Sequence, residues 1–251
     1  MTYWHDRAHA RHGFRWVYAC HEHLATDRIE ERYTTLSFEV HQYADWSKPR
    51  GHYLPLLEVN AAEHPHVARA AHYLGREYMY VGRWADAIAQ LERHITMPES
   101  IWKPERAASC RYLARCYASV GDADAATAAA RRATTEAPEL RESWVELAQV
   151  CHDQRLWPEC AEAARQALAI TDRSDEYLNE GWAWGARAHD LASVSAWWLG
   201  NRQAALDHAR AAAAIEPDDD RLRANVDFIA SRQEPTADPA APWVGDDAWR
   251  P

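Results

Sequence analysis

The sequence predicts a mainly α protein: a right-handed solenoid of about four stacked helix pairs, a capping helix, and a small strand-containing segment in front. Three observations predict it. Only nine of 251 residues are glycine, too few for an all-β fold built on tight turns. Alanine, leucine, arginine and glutamate are abundant, and these are among the better helix formers. One order of small and large residues recurs through the C-terminal two thirds, as stacked helix–turn–helix units require. The chain also carries 13 tryptophans against 3 phenylalanines, more than ordinary repeats need.

Charge and composition exclude several classes. Lys and Arg number 28 against 38 Asp and Glu, a net charge of −10, and a general nucleic-acid binder would carry a basic footprint instead. No apolar run approaches the ~18 residues of a membrane span, and the opening MTYWHDRAHARHG lacks the apolar core of a signal peptide. The five cysteines, Cys20, Cys110, Cys116, Cys151 and Cys160, form an odd count without a Cys-x-x-Cys spacing. That argues against a disulfide framework or a cysteine zinc site, and for a reducing, cytoplasmic compartment.

Residues 1–65 form the first segment. Phe14, Trp16, Tyr18 and Cys20 alternate with Arg15, Val17 and Ala19, and Leu36, Phe38 and Val40 alternate with Thr35, Ser37 and Glu39. Period two predicts a strand over 14–20 and another over 33–41, separated by His21-Glu22-His23 and a charged stretch. Two short strands need something further to pack on. His5 and His9, four apart, have a spacing that suits zinc on a helix. His21-Glu22-His23 is too tight for a metalloprotease motif, and the plain reading is of solvated or packed histidines.

Residues 66–232 carry the repeats. The first holds Leu74, Gly75, Tyr78, Gly82, Trp84, Ala87 and Leu91; the second Leu113, Ala114, Tyr117, Gly121, Ala126, Ala130, Ala133 and Pro138. The third holds Trp144, Leu147, Ala148, Cys151, Trp157, Cys160, Ala164 and Ala167; a weaker fourth has Ala192, Ser193, Ala196, Gly200, Ala205, Ala209, Ala212 and Pro217. This order resembles the tetratricopeptide repeat, a helix–turn–helix unit of about 34 residues. Small residues let the paired helices approach closely, and Pro138 and Pro217 end their helices. Extra residues fall between repeats, around MPESIWKPE and DRSDEYLNEGWAWG. A capping helix is predicted from Asp218 to Ser231, with carboxylates at its N-terminus. Residues 233–251 read as a Pro- and Asp-rich tail with Trp243 and Trp249 as candidate contacts for a partner or for the body.

A second resemblance covers nearly the whole chain in sequence order. Arg15 to Leu24, with Trp16 and His21-Glu22, is similar to the end of the GT-A catalytic domain of family 2 glycosyltransferases. Val40-His41-Gln42-Tyr43, Lys48-Pro49-Arg50 and Leu54-Pro55-Leu56-Leu57-Glu58 resemble the segment that joins that domain to a tetratricopeptide array. The resemblance implies His21 as a metal ligand, with Glu22 as a metal-side or acceptor-side carboxylate. Mn²⁺ or Mg²⁺ suits such ligands. The family's nucleotide-binding half, with its Asp-x-Asp, is missing; Asp122-Ala123-Asp124 sits in a repeat turn, where it starts a helix. The isolated chain is therefore expected to be inactive and cofactor-free, with a metal only where a nucleotide-sugar-binding partner completes the site.

The first helix of each pair offers a second candidate site. Positions that contact ligands in the repeat family fall on Arg69, His72, Arg76, Met79 and Tyr80, then Arg111, Arg115 and Ser119. They continue on Glu142, Gln149, His152 and Asp153, then Arg187, Asp190, Trp197 and Trp198. Arginine forks suit carboxylates, so an acidic peptide is the expected ligand, unless these charges are solvated or paired internally. Two functions stay open. One is a glycosyltransferase component acting with a nucleotide-sugar-binding chain, an acceptor protein or a second copy. The other is a non-enzymatic adaptor that binds an acidic peptide.

Overall fold

A computed structural model describes residues 12–19, 23–26, 51, 53–174 and 177–232. They form β1 (Phe14–Val17), β2 (His23–Thr26), α1 (Tyr53–Glu63), α2 (Ala68–Tyr80), α3 (Trp84–Thr96), α4 (Lys103–Ser119) and α5 (Ala123–Glu136). There follow α6 (Arg141–Asp153), α7 (Trp157–Ala169), one 3-10 turn at Gly181–Trp184, α8 (Arg187–Trp198), α9 (Arg202–Ile215) and α10 (Asp220–Ser231). The chain divides into two compact units, Met1–Glu99 and Ser100–Pro251. No described helix is long and apolar enough to cross a membrane.

In the first unit, β1 and β2 pair antiparallel, with Phe14 opposite Thr26 and Val17 opposite His23. The partner of β1 is thus the segment that begins at His23, for which the sequence pattern gave no strand. A nearer partner closes a smaller loop at lower entropic cost, and β1 stops at Val17 because Tyr18 takes a φ of 76°, outside the extended region. Residues 33–41, His5, His9, His21 and Glu22 lie outside the described residues.

The joining stretch around Leu54 to Glu58 is helical. Pro55 lies in the first turn of α1, where its missing N–H would have had no helical partner, and Leu57 and Ala61 are buried. The Tyr78 hydroxyl donates to Glu58 Oε1 at 2.8 Å, and Arg83 reaches the same oxygen at 3.0 Å. Between α2 and α3, Gly75 faces Leu91 so closely that an added Cβ would lie 2.7 Å from the Leu91 Cγ. His72 is fully buried, its ring 5.3 Å from that of buried His94. It fills the α2–α3 core and offers no surface to an external ligand.

The second unit stacks the pairs α4–α5, α6–α7 and α8–α9, closed by α10. One turn geometry recurs. Gly121 (φ 82°), Arg155 (φ 58°) and Gly200 (φ 79°) each take the left-handed conformation. The next N–H then bonds back to the helix, as Asp122 to Tyr117, Leu156 to Cys151 and Asn201 to Ala196. This is the capping arrangement that glycine favours after a helix, and Arg155 adopts it without glycine's freedom. Asp122, Asn201 and Asp219 cap α5, α9 and α10 by accepting from backbone N–H groups, which satisfies orphan donors. Ala114, Ala126, Ala130, Ala148, Ala164 and Ala167 are fully buried. With Val145, Leu191, Cys151 and Cys160 they form a core cluster of the stack.

The tryptophans of the last pair serve packing. Trp197, 2% exposed, meets Phe228 of α10 edge-on at 5.5 Å. Trp198 stacks on Trp157 of α7 with rings 5.8 Å apart. Neither indole is the open groove contact that its position in the repeat suggested. Trp243 and Trp249 lie outside the described residues.

Candidate functional site

The second unit has one irregular connection. The links from α5 to α6 and from α9 to α10 are short, but residues 170–186 separate α7 from α8. This insertion packs on α6 and α8 and reaches α4. It lies against the face formed by the first helices of the pairs, where a ligand was expected from the repeat positions.

Two arginines on α4 hold it. Arg115 donates from Nη1 to Glu180 Oε1 at 2.9 Å and from Nη2 to Glu180 Oε2 at 2.8 Å, a bidentate fork. Its Nε bonds Glu146 of α6 at 2.8 Å. One turn earlier, fully buried Arg111 donates from Nε to Glu180 Oε2 and from Nη2 to the Leu178 carbonyl, both at 3.2 Å. Arg111 Nη1 is also buried, and no hydrogen-bond acceptor meets it among the described residues.

Donors also run the other way. The Trp184 indole N–H donates to Glu142 Oε1 at 2.7 Å, and the Glu180 N–H reaches the same oxygen at 3.3 Å. The Tyr177 hydroxyl donates to Glu105 Oε2 at 2.8 Å, and its ring lies 5.6 Å from that of Trp102. Arg115 also sits 5.4 Å from the Trp182 ring, and Arg141 5.0 Å from that of Trp184, both cation–π distances. At the exit, Glu216 accepts from the Ala186 N–H at 3.0 Å. A Cβ on Gly185 would lie 2.5 Å from that carboxylate oxygen, so any larger residue there would displace the Glu216 side chain.

Burial opposes the charge on Glu180, but Arg115 and Arg111 outweigh it and hold the carboxyl down at about 2. Burial instead pushes Glu146 upward against the pull of Arg115. Glu146 and Glu180 together hold Arg115 charged against the cost of its burial. The site binds a carboxylate through the Arg115 fork and one N–H of Arg111, with aromatic rings on either side along the chain.

The remaining expected groove residues divide. Gln149 accepts from Arg187 Nε at 2.7 Å and donates to Asp153 at 2.7 Å. His152 pairs with Asp153 at 3.0 Å and meets Trp157 edge-on. In the first unit, Arg69 is exposed and the Arg76 guanidinium lies 4.9 Å from the Tyr73 ring. Glu105, Glu146, Tyr177, Glu180, Trp182 and Trp184 were not among the residues singled out by spacing. Their signal was present: an acidic, aromatic insertion follows two helices that present arginines. Among the described residues no cluster of His, Cys, Asp or Glu has the geometry to hold a metal. The four described cysteines are pushed up to about 12 by burial, which suits packing rather than nucleophilic chemistry.

No family model matches the chain, and no curated protein matches it in sequence. Solved structures share the fold. The crystal structure of MamA aligns with a TM-score of 0.55 at 17% identity, covering 70% of this chain and 98% of that one. A thermophilic TPR protein of Thermus thermophilus aligns with a TM-score of 0.50 at 16% identity, over 71% of this chain and 89% of that one. YrrB, described as a TPR protein with an unusual peptide-binding site, gives 0.53 at 15% identity over 71% and 83%. The helix pairs are thus of the tetratricopeptide type, and at these identities the likeness is one of fold.

Proposed function

We propose that the chain is a non-enzymatic tetratricopeptide interaction protein whose α4–α6 face takes an acidic peptide. One observation carries the reading: Arg111 and Arg115 grip the carboxylate of Glu180, an extended residue in front of the Gly181–Trp184 turn, in a non-helical connection that lies against that face. The side chains that recognise a carboxylate flanked by aromatics are thus in place. YrrB, with its peptide-binding site, has the same fold and supports the reading by analogy. The proposed activity needs no cofactor. Its partner is a protein segment rather than a nucleic acid, in keeping with the net charge of −10. The glycosyltransferase-component reading, with His21 and Glu22 completing a partner's Mn²⁺ or Mg²⁺ site, rests on the sequence resemblance alone and ranks second. Titration with a sugar nucleotide and Mn²⁺, with and without a partner chain, tests it.

The adaptor reading is tested with the full chain in which residues 177–184 are replaced by a Gly/Ser linker, exposing the face. A synthetic peptide of residues 171–186 should bind it in calorimetry, and Arg111→Met with Arg115→Met should abolish binding. Binding that survives both substitutions would sink the proposal.

A further inference from the structure

We infer that residues 243–249 of the same chain are a second ligand for the α4–α6 face, exchanging there with residues 177–184. This rests on the acidic-peptide reading and names the partner. The resident segment defines what the face recognises: Tyr177, then Glu180 three residues on, then Trp182 and Trp184. Each makes a specific contact. Tyr177 bonds Glu105, Glu180 fills the Arg115 fork and accepts one N–H of Arg111, Trp182 lies against Arg115, and Trp184 bonds Glu142. The stretch Trp243-Val244-Gly245-Asp246-Asp247-Ala248-Trp249 repeats that chemistry. Trp243 precedes Asp246 by three residues, as Tyr177 precedes Glu180. Trp249 follows Asp247 by two, as Trp182 follows Glu180.

Charge complementarity favours the exchange. Glu180 leaves Arg111 Nη1 buried without an acceptor, a costly arrangement. Two adjacent aspartates bring two carboxylates to two guanidinium groups, enough oxygens to meet that donor as well. The tail follows α10 directly in the sequence. A tethered ligand acts at an effective concentration on the order of millimolar, which favours the tail of the same chain over that of another copy.

The test uses the full chain carrying the Gly/Ser linker at 177–184 together with Asp246→Asn and Asp247→Asn, so that neither internal ligand competes. Peptides of residues 171–186 and 240–251 are titrated in turn. Both should bind and compete, and the tail peptide should lose at least about tenfold with Asn at 246 and 247. If the 171–186 peptide binds and the tail peptide does not, the tail inference fails while the acidic-peptide reading stands. If neither binds a chain with native helical content, that reading fails. A second measurement needs no linker variant: a photo-crosslinking residue at position 249 of the otherwise native chain should react within α4 or α6. Crosslinks only elsewhere in the chain, or only to a second copy, would overturn the inference.

Discussion

Glu180→Gln isolates one buried charge at the centre of the resident contact. The Glu180 carboxyl stands at about 2 against an ordinary 4.5, with Arg115 and Arg111 overcoming the cost of burial. At ~1.4 kcal/mol per unit that difference is worth about 3 kcal/mol at neutral pH. Removing one partner of a buried ion pair costs about 3–5 kcal/mol in general. Arg115 keeps its ion pair with Glu146, and the Glu146 charge also acts on Arg111, so the lower end applies. The folded-state value lies below the ordinary one. The stabilisation is therefore complete above about pH 5 and is lost as the pH falls toward 2. Denaturant unfolding of the wild type and Glu180→Gln at pH 7 should differ by about 3 kcal/mol, and by less than half of that at pH 3. A difference under ~0.5 kcal/mol at pH 7, or one equal at both pH values, would refute the reasoning.

Other consequences are independent of that contact. Gly75→Ala should destabilise the α2–α3 pair by about 1–3 kcal/mol through overpacking against Leu91, read as a lowered denaturation midpoint. His189 and His208 join α8 and α9 with their Nδ1 atoms 3.0 Å apart. Burial lowers both, His208 and Arg141 depress His189 further, and Asp207 opposes the shift in His208. Since the folded values lie below the ordinary 6.5, stability from this pair is complete above that pH and falls as the pH drops through the folded values. The melting temperature should accordingly decline between pH 7 and 5, and His208→Gln should flatten that slope. Asp219→Ala removes the cap of α10 and should cost about 1 kcal/mol, seen as faster amide exchange in that helix. Cys110, Cys116, Cys151 and Cys160 should resist a thiol reagent until the protein unfolds.

The repeats were legible because helix pairing dictates composition: a small residue must stand where backbones approach, as at Gly75, Ala114 and Ala148, and a left-handed residue must end each first helix. Arg155 shows the limit of that rule, since the turn forms there without glycine. The cap at Asp122 was readable from residue type alone. The hairpin was half legible, because alternation marks β1 but does not say which later segment pairs with it. Arg111 and Arg115 were read from their spacing as binders of an external carboxylate, with internal pairing as the alternative, and in the structure they pair internally with Glu180. What spacing along helices could not reveal is that the carboxylate comes from residue 180 of the same chain. Contacts between α4 and an irregular connection have no periodicity to read. His72 and Trp197 were misplaced for a related reason. A repeat position specifies a face of the helix, and whether that face stays open depends on the neighbour packed against it.

The central claim is that the α4–α6 face recognises a carboxylate between aromatic residues. Calorimetric titration of the linker-substituted full chain with the 171–186 peptide, carrying either Glu or Gln at position 180, tests it most directly. The account predicts that the Gln peptide binds at least about tenfold more weakly, with the difference shrinking as salt rises. Equal affinities for the two peptides would contradict it.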